Sequence, residues 1–126
     1  MRIDIVSLFP EFIEAFYQHS IIGRARAQGL LELDVTNPRS FVYDRHRMVD
    51  DTIYGGGCGM LMKAGPLFAA VESVRRDVPR RRIILMGPAG STFDQAKHVS
   101  WLRMTSSFCC VVIMKAWITG RTVSGR

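Results

Sequence analysis

Short apolar runs alternate with amphipathic segments along this chain, and that order predicts an α/β fold with a mainly parallel sheet. Apolar runs of strand length occur at residues 3–9, 30–35, 83–86 and 108–114. The segments between them place apolar residues at helical spacing. Pro10, Gly29 and Asn37-Pro38 stand at the junctions, where turn residues punctuate such a chain.

Residues 2–9 read as a buried strand through Ile3, Ile5, Val6, Leu8 and Phe9. Pro10 ends it and opens a helix, on which Phe12, Ile13, Phe16 and Tyr17 fall at helical spacing. Residues 19–28 fit a second short helix closed by Gly29. In residues 30–35, Leu31, Leu33 and Val35 alternate with Glu32 and Asp34, so this strand has one apolar face. Residues 39–63 are polar, rich in glycine and without periodicity; such a stretch is functional or disordered. Residues 66–76 make an amphipathic helix through Leu67, Val71 and Val74. Arg80-Arg81-Arg82 leads into a strand at 83–86, followed by the tight turn Gly87-Pro88-Ala89-Gly90-Ser91. Thr92 with Gln95 predicts a capping box at the start of the next helix. Residues 108–114 close the series as a strand.

The chain has 126 residues, 48% hydrophobic and 22% charged, which fits one folded domain or a piece of a larger one and excludes wholesale disorder. No apolar run reaches the roughly 18 residues of a membrane-spanning helix. Asp4 interrupts the apolar N-terminus, which therefore does not read as a secretory signal. Cys58, Cys109 and Cys110 fit neither a disulfide framework nor a zinc spacing, so no metal site and a reduced, cytoplasmic setting are expected. The net charge of +6 is uneven. Residues 1–94 hold all 11 acids against 12 bases, while residues 95–126 hold five bases and no acid. The basic balance thus belongs to the tail and is no footprint for nucleic acid over the whole chain.

The turn at 87–91 lies between a strand end and a helix start, where open α/β sheets bind ligands; an ordinary βα turn has the same spacing. The glycine-rich stretch Tyr54-Gly55-Gly56-Gly57-Cys58-Gly59-Met60-Leu61-Met62 lacks the Gly-Lys-Ser/Thr ending of a phosphate loop. Its glycines let backbone approach a flat ligand, or make a flexible hairpin. His46 among arginines reads as a base or as a surface or phosphate contact. Asp50 and Asp51 read as an acid–base pair or as loop neighbours that point apart. No His or Asp stands near Cys109 and Cys110 in sequence, so these read as strand residues rather than nucleophiles.

Six stretches, in this order, carry a resemblance: Ile5-Val6-Ser7-Leu8-Phe9-Pro10-Glu11, Gly23-Arg24-Ala25, Asn37-Pro38-Arg39, Asp44-Arg45-His46-Arg47, Val49-Asp50-Asp51, and residues 54–62. Together they resemble the bacterial tRNA (guanine-N1)-methyltransferase family, from about Met1 to Lys97. Cys58 stands where that family usually has proline. The resemblance implies a trefoil-knot (SPOUT) α/β fold, an obligate homodimer, and methyl transfer from S-adenosylmethionine to N1 of the guanine just 3′ of the anticodon of tRNA. It implies a donor site at Leu85, Met86, Gly87, Pro88, Ala89 and Gly90. It implies that Arg45, His46, Asp50, Gly55, Gly56, Gly57, Gly59 and Met60 help to form the guanine and tRNA site.

Beyond Lys97 the motifs stop. The family continues through a Tyr-Asp-Glu-Leu run into Leu-Leu-Cys-Gly-His-Tyr-Glu-Gly-x-Asp-x-Arg, and then supplies the knotted crossover, an aspartate general base and a helical tRNA-binding domain. The codons of residues 104–120, read from each third base, change the outcome. Met104-Thr105 then gives Asp, Met114-Lys115 gives Glu and Trp117-Ile118 gives Asp, while residues 108–113 permit Leu-Leu-Cys-Gly-His. The expectation is therefore a family portion over 1–97, with the knot incomplete, and an out-of-frame tail over 98–126; a divergent short homologue is the alternative. The catalytic base would be absent and the chain an inactive, loosely packed form, with the strands of Ile3 and Ile83 short of packing partners. The competing function is a small non-catalytic RNA-binding module using Arg39, Arg45, Arg47 and the arginines at 80–82.

Overall fold

Strand β1 (Arg2–Val6) alternates half-buried and buried side chains and begins the sheet. The computed structural model describes residues 1–52, 61–75, 82–86, 90–102 and 108–112. Helix α1 (Pro10–Tyr17) follows, with Pro10 in its first turn, where the missing N–H costs nothing. Helix α2 (Ser20–Ala27) leads to β2 (Glu32–Thr36). After a short 3-10 helix (Pro38–Phe41) come β3 (Asp50–Asp51), β4 (Leu61–Met62) and helix α3 (Ala64–Val74). Strand β5 (Arg82–Met86), helix α4 (Gln95–Leu102) and strand β6 (Phe108–Val112) complete the described elements.

The fold is α/β with a small four-stranded sheet in the order β2-β1-β6-β5, whose three pairings are all parallel. β3 and β4 form a separate antiparallel ribbon. Strand β6, from the segment beyond Lys97, lies at the centre of the sheet. It pairs Ile3 with Phe108 on one side and Arg82 with Phe108 on the other. The β1 and β5 strands are therefore bridged by backbone pairing rather than left with open facing edges.

Several boundaries differ from the sequence expectation, each for a local reason. β1 stops at Val6, because the Ser7 hydroxyl accepts the Phe9 N–H at 3.2 Å and turns the chain toward α1. On α1, Tyr17 is buried while Phe12 and Phe16 are 69% and 65% exposed, so the inward face is narrower than its apolar spacing implied. Residues 39–63 are not wholly irregular: Asn37 Oδ1 accepts the Arg39 N–H at 3.0 Å and starts the 3-10 helix, and the ribbon follows. The capping box from Thr92 is overturned. Helix α4 starts at Gln95, and the Asp94 carboxylate accepts the Lys97 N–H at 2.8 Å. An aspartate at that position competes better than a threonine two residues earlier.

The α1–α2 corner is tight. Ser20 has φ 60°, and the Gly23 N–H donates to the His19 carbonyl at 3.1 Å. A Cβ on Gly23 would lie 2.4 Å from the Gln18 carbonyl oxygen, so only glycine fits this approach. At the other end of α2, Gly29 (φ 70°) and Leu30 donate to Arg26 and Ala25, a Schellman closure that sends the chain into β2.

The core joins Val6, Met62, Leu67 and Ala70, with Leu8, Phe41, Val71 and Val74 packed against it. It is therefore built by β1, β4, the 3-10 helix and α3. At the start of the sheet, register sets Arg2 opposite Glu32 and Asp4 opposite Asp34. The guanidinium of Arg2 joins all three acids: its Nη2 lies 2.9 Å from Asp4 and 3.4 Å from Asp34, and its Nη1 bonds Glu32. Asp4 is 2% exposed, and this pairing is what permits a carboxylate there.

Candidate functional site

In a parallel sheet the connections after the strands converge at one edge, and ligands bind at the strand ends where successive connections part. Here β1, β2, β5 and β6 all run parallel, so Val6, Thr36, Met86 and Val112 end at one edge of the sheet. Around it the Ser7 N–H donates to the Thr36 carbonyl at 3.0 Å, joining the ends of β1 and β2. The Arg2 ion network lies at the opposite end of β1, away from this edge. Hydrogen bonding to Asp4, then attraction to the three carboxylates, raises the Arg2 pKa against the opposing effect of burial. It is a structural cation, not part of the site.

Downstream of β2 the chain runs through the 3-10 helix into residues 42–48 and then into β3. Both ends of this excursion are fixed. Phe41 packs against the core, Val49 is 1% exposed, and the Lys63 N–H donates to the Val49 carbonyl at 2.7 Å. Between them, residues 43–48 are all exposed. The tip is folded by Asp44. Its carbonyl accepts the Arg47 N–H at 3.1 Å, and its carboxylate accepts the Met48 N–H at 3.1 and 3.4 Å. Arg47 takes φ 46°, a left-handed conformation uncommon for a non-glycine.

Arg45 and His46, both predicted from sequence, stand exposed on this tip. Asp50 lies half-buried in β3, opposite Met62. Leu85 and Met86 end β5 and are 58% and 45% exposed. Gly90 is exposed. Gly55, Gly56, Gly57, Gly59 and Met60 lie outside the described residues, as do Gly87, Pro88 and Ala89. Two residues of the tip were given no role by sequence reading: Tyr43, and Asp44, which was quoted only as part of a motif. The signal for Asp44 was available, since aspartate at a turn readily takes the backbone N–H groups that follow it. Among the described residues no three His, Cys, Asp or Glu side chains gather as metal ligands, and no helix is long and apolar enough to cross a membrane.

Comparison with known proteins adds the following. Residues 1–114 match the family model described as tRNA (Guanine-1)-methyltransferase TrmD, a match that continues past Lys97. A tRNA (guanine-N(1)-)-methyltransferase of Gloeobacter violaceus is 54% identical over 95 residues, covering 75% of this chain and 41% of that protein. The same-named protein of Acaryochloris marina is 53% identical over 95 residues, covering 75% and 40%. That of Thermosynechococcus vestitus is 47% identical over 103 residues, covering 82% and 43%. The chain spans about two fifths of the length of these curated relatives.

Proposed function

The chain belongs to the tRNA (guanine-1)-methyltransferase family, and from that premise we propose that it is the donor-side portion of an enzyme methylating tRNA at guanine N1. The observation that carries this reading is the extent of the match. It takes in both the 39–63 stretch and the turn at 87–91, the two places where sequence alone pointed to a ligand. The substrate guanine is the one just 3′ of the anticodon, and the methyl donor is S-adenosylmethionine. The fold is of the trefoil-knot type and the working unit a homodimer.

The donor site is Leu85, Met86, Gly87, Pro88, Ala89 and Gly90. Leu85 and Met86 fit the donor, because their exposed apolar side chains at a strand end suit an adenine ring. The donor supplies a methyl group on a positively charged sulfur, which is electrophilic without further activation. The chain's own part is to hold the donor and to bring the guanine edge to it, a contribution of proximity. Arg45 and His46 meet the RNA, Asp50 and the glycine stretch with Met60 approach the flat guanine, and Val49 with the β3–β4 pairing anchors Asp50. Removal of the N1 proton belongs to an aspartate base that the resemblance puts beyond Lys97, and residues 98–126 hold no aspartate.

The test is retention of labelled S-adenosylmethionine in equilibrium dialysis, with labelled methyl transfer onto unmodified tRNA. The chain is expected to retain donor and to transfer methyl at background. Salt-dependent RNA binding with no donor retention would replace this reading with the non-catalytic RNA-binding module, which the exposed basic tip also favours.

A further inference from the structure

Tyr43 is 99% exposed. A tyrosine ring ordinarily buries most of its apolar surface and leaves its hydroxyl at the boundary. Here the ring stands in solvent although the loop bearing it is fixed at both ends by Phe41 and Val49. Its neighbours Arg45, His46 and Arg47 are exposed as well. The one acid of the tip, Asp44, is engaged by the Met48 N–H, so it folds the loop while the two guanidinium groups stand free to meet an anion.

We propose that Tyr43 is a stacking platform for an unpaired base of the RNA, with Arg45 and Arg47 on the adjoining phosphates and Asp44 as the residue that positions the tip. This rests on the RNA reading of the loop given above. The chemistry selects the partner. A flat ring beside two cations matches a chain that carries a flat base on every phosphate-linked unit. An acidic peptide supplies the charge but not the flat partner. A membrane surface would call for an apolar stripe, and residues 43–48 offer only Tyr43 and Met48 among charged and polar side chains. The base has to be unpaired, because bases within a duplex are already stacked on each other.

The experiment compares the full chain with Tyr43→Ala, Tyr43→Phe and Arg47→Gly on two RNAs: a hairpin with 2-aminopurine in its loop, and a blunt duplex. Arg47→Gly keeps the left-handed turn and removes the guanidinium with its stem. Tyr43→Ala is expected to weaken hairpin binding about tenfold and to abolish the fluorescence quench of the loop base. Duplex affinity and salt slope should stay as in the parent. Tyr43→Phe should behave as the parent, since it keeps the ring. Arg47→Gly should weaken both RNAs and lower the salt slope by about one. Equal hairpin affinity and quench in Tyr43→Ala and the parent would overturn the proposal and leave the RNA reading standing. Equal losses on hairpin and duplex in Tyr43→Ala would also overturn it, as a folding effect. A parent chain with no salt-dependent RNA binding would overturn both.

Discussion

Strands β1 and β5 are both five residues long, both mainly apolar and both parallel to β6, yet they sit in different surroundings. In β1, Val6 is 1% exposed beneath α3 and the 3-10 helix, and the buried Asp4 is paired. In β5, Ile83, Leu85 and Met86 are 49%, 58% and 45% exposed. β1 is paired on both sides, by β2 and β6, whereas β5 ends the sheet and is paired by β6 alone among the described residues. They differ in cover as well: apolar area contributes stability only where another element removes it from water.

Substitution by alanine is the sharpest way to break this comparison. Val6→Ala removes two methyl-sized groups from a closed site and should cost about 2–3 kcal/mol, from lost transfer and an unfilled space. Leu85→Ala removes more atoms yet should cost less than about 1 kcal/mol, because over half of that side chain already meets water. Urea midpoints of the two variants check this. Equal costs would mean that β5 is covered in solution by something beyond the described residues, a second copy included.

Asp4→Ala tests the polar half of the β1 side. Arg2 would keep Glu32 and Asp34, both exposed, but lose its buried partner. A loss of about 2 kcal/mol is expected, below the usual range for a broken buried pair because Arg2 is still within reach of solvent. The pH dependence follows from the raised Arg2 pKa. A base held above its unfolded value contributes its full stability below that value and loses it only as pH rises through the folded one. For arginine that window is strongly alkaline, so the Arg2 contribution should be flat through neutral pH.

Gly23→Ala extends the contrast to helices. The added Cβ would meet the backbone oxygen of Gln18, which cannot swing aside as a side chain can. A net loss of about 1–2 kcal/mol is expected after the helix gains the better propensity of alanine. Gly65→Ala in the first turn of α3 meets nothing within 4 Å and should be neutral or slightly stabilising. Thermal midpoints of the pair separate a steric glycine from an incidental one.

The same contrast explains what was legible beforehand. Periodicity located β1, α1, β2 and α3, while α2, which buries no side chain, was marked by the Gly29 that closes it. It misjudged the width of the α1 face, since Phe12 and Phe16 fit the helical spacing yet point away from the core. Spacing cannot say which half of an apolar stripe finds a partner. The fold of the tip at 43–48 lay outside periodicity for another reason. It is set by hydrogen bonds that Asp44 accepts and by two anchors, the partly buried Phe41 and the buried Val49, none of which is periodic. The pairing of β6 between β1 and β5 is a long-range fact, and no local pattern in residues 108–112 announces which strands they join.

The smallest effect is at the start of α4, where sequence and structure disagree on a single cap. A cap stabilises by accepting an otherwise unsatisfied N–H of the first turn. Asp94 does so for Lys97 at 2.8 Å, and its own carbonyl takes the His98 N–H at 3.0 Å. Its negative charge also lies at the positive end of the helix. Thr92 offers its backbone carbonyl to the Lys97 ammonium, a bond that an alanine at 92 would keep. Asp94→Ala should therefore cost about 1 kcal/mol and Thr92→Ala no more than a few tenths. Because α4 borders β5 through Arg82 over the Trp101 ring at 5.7 Å, the loss is best read locally, by hydrogen exchange of residues 95–102. Faster exchange in Asp94→Ala alone places the helix start at Gln95, and equal acceleration in Thr92→Ala would move it back to the capping box that spacing predicts.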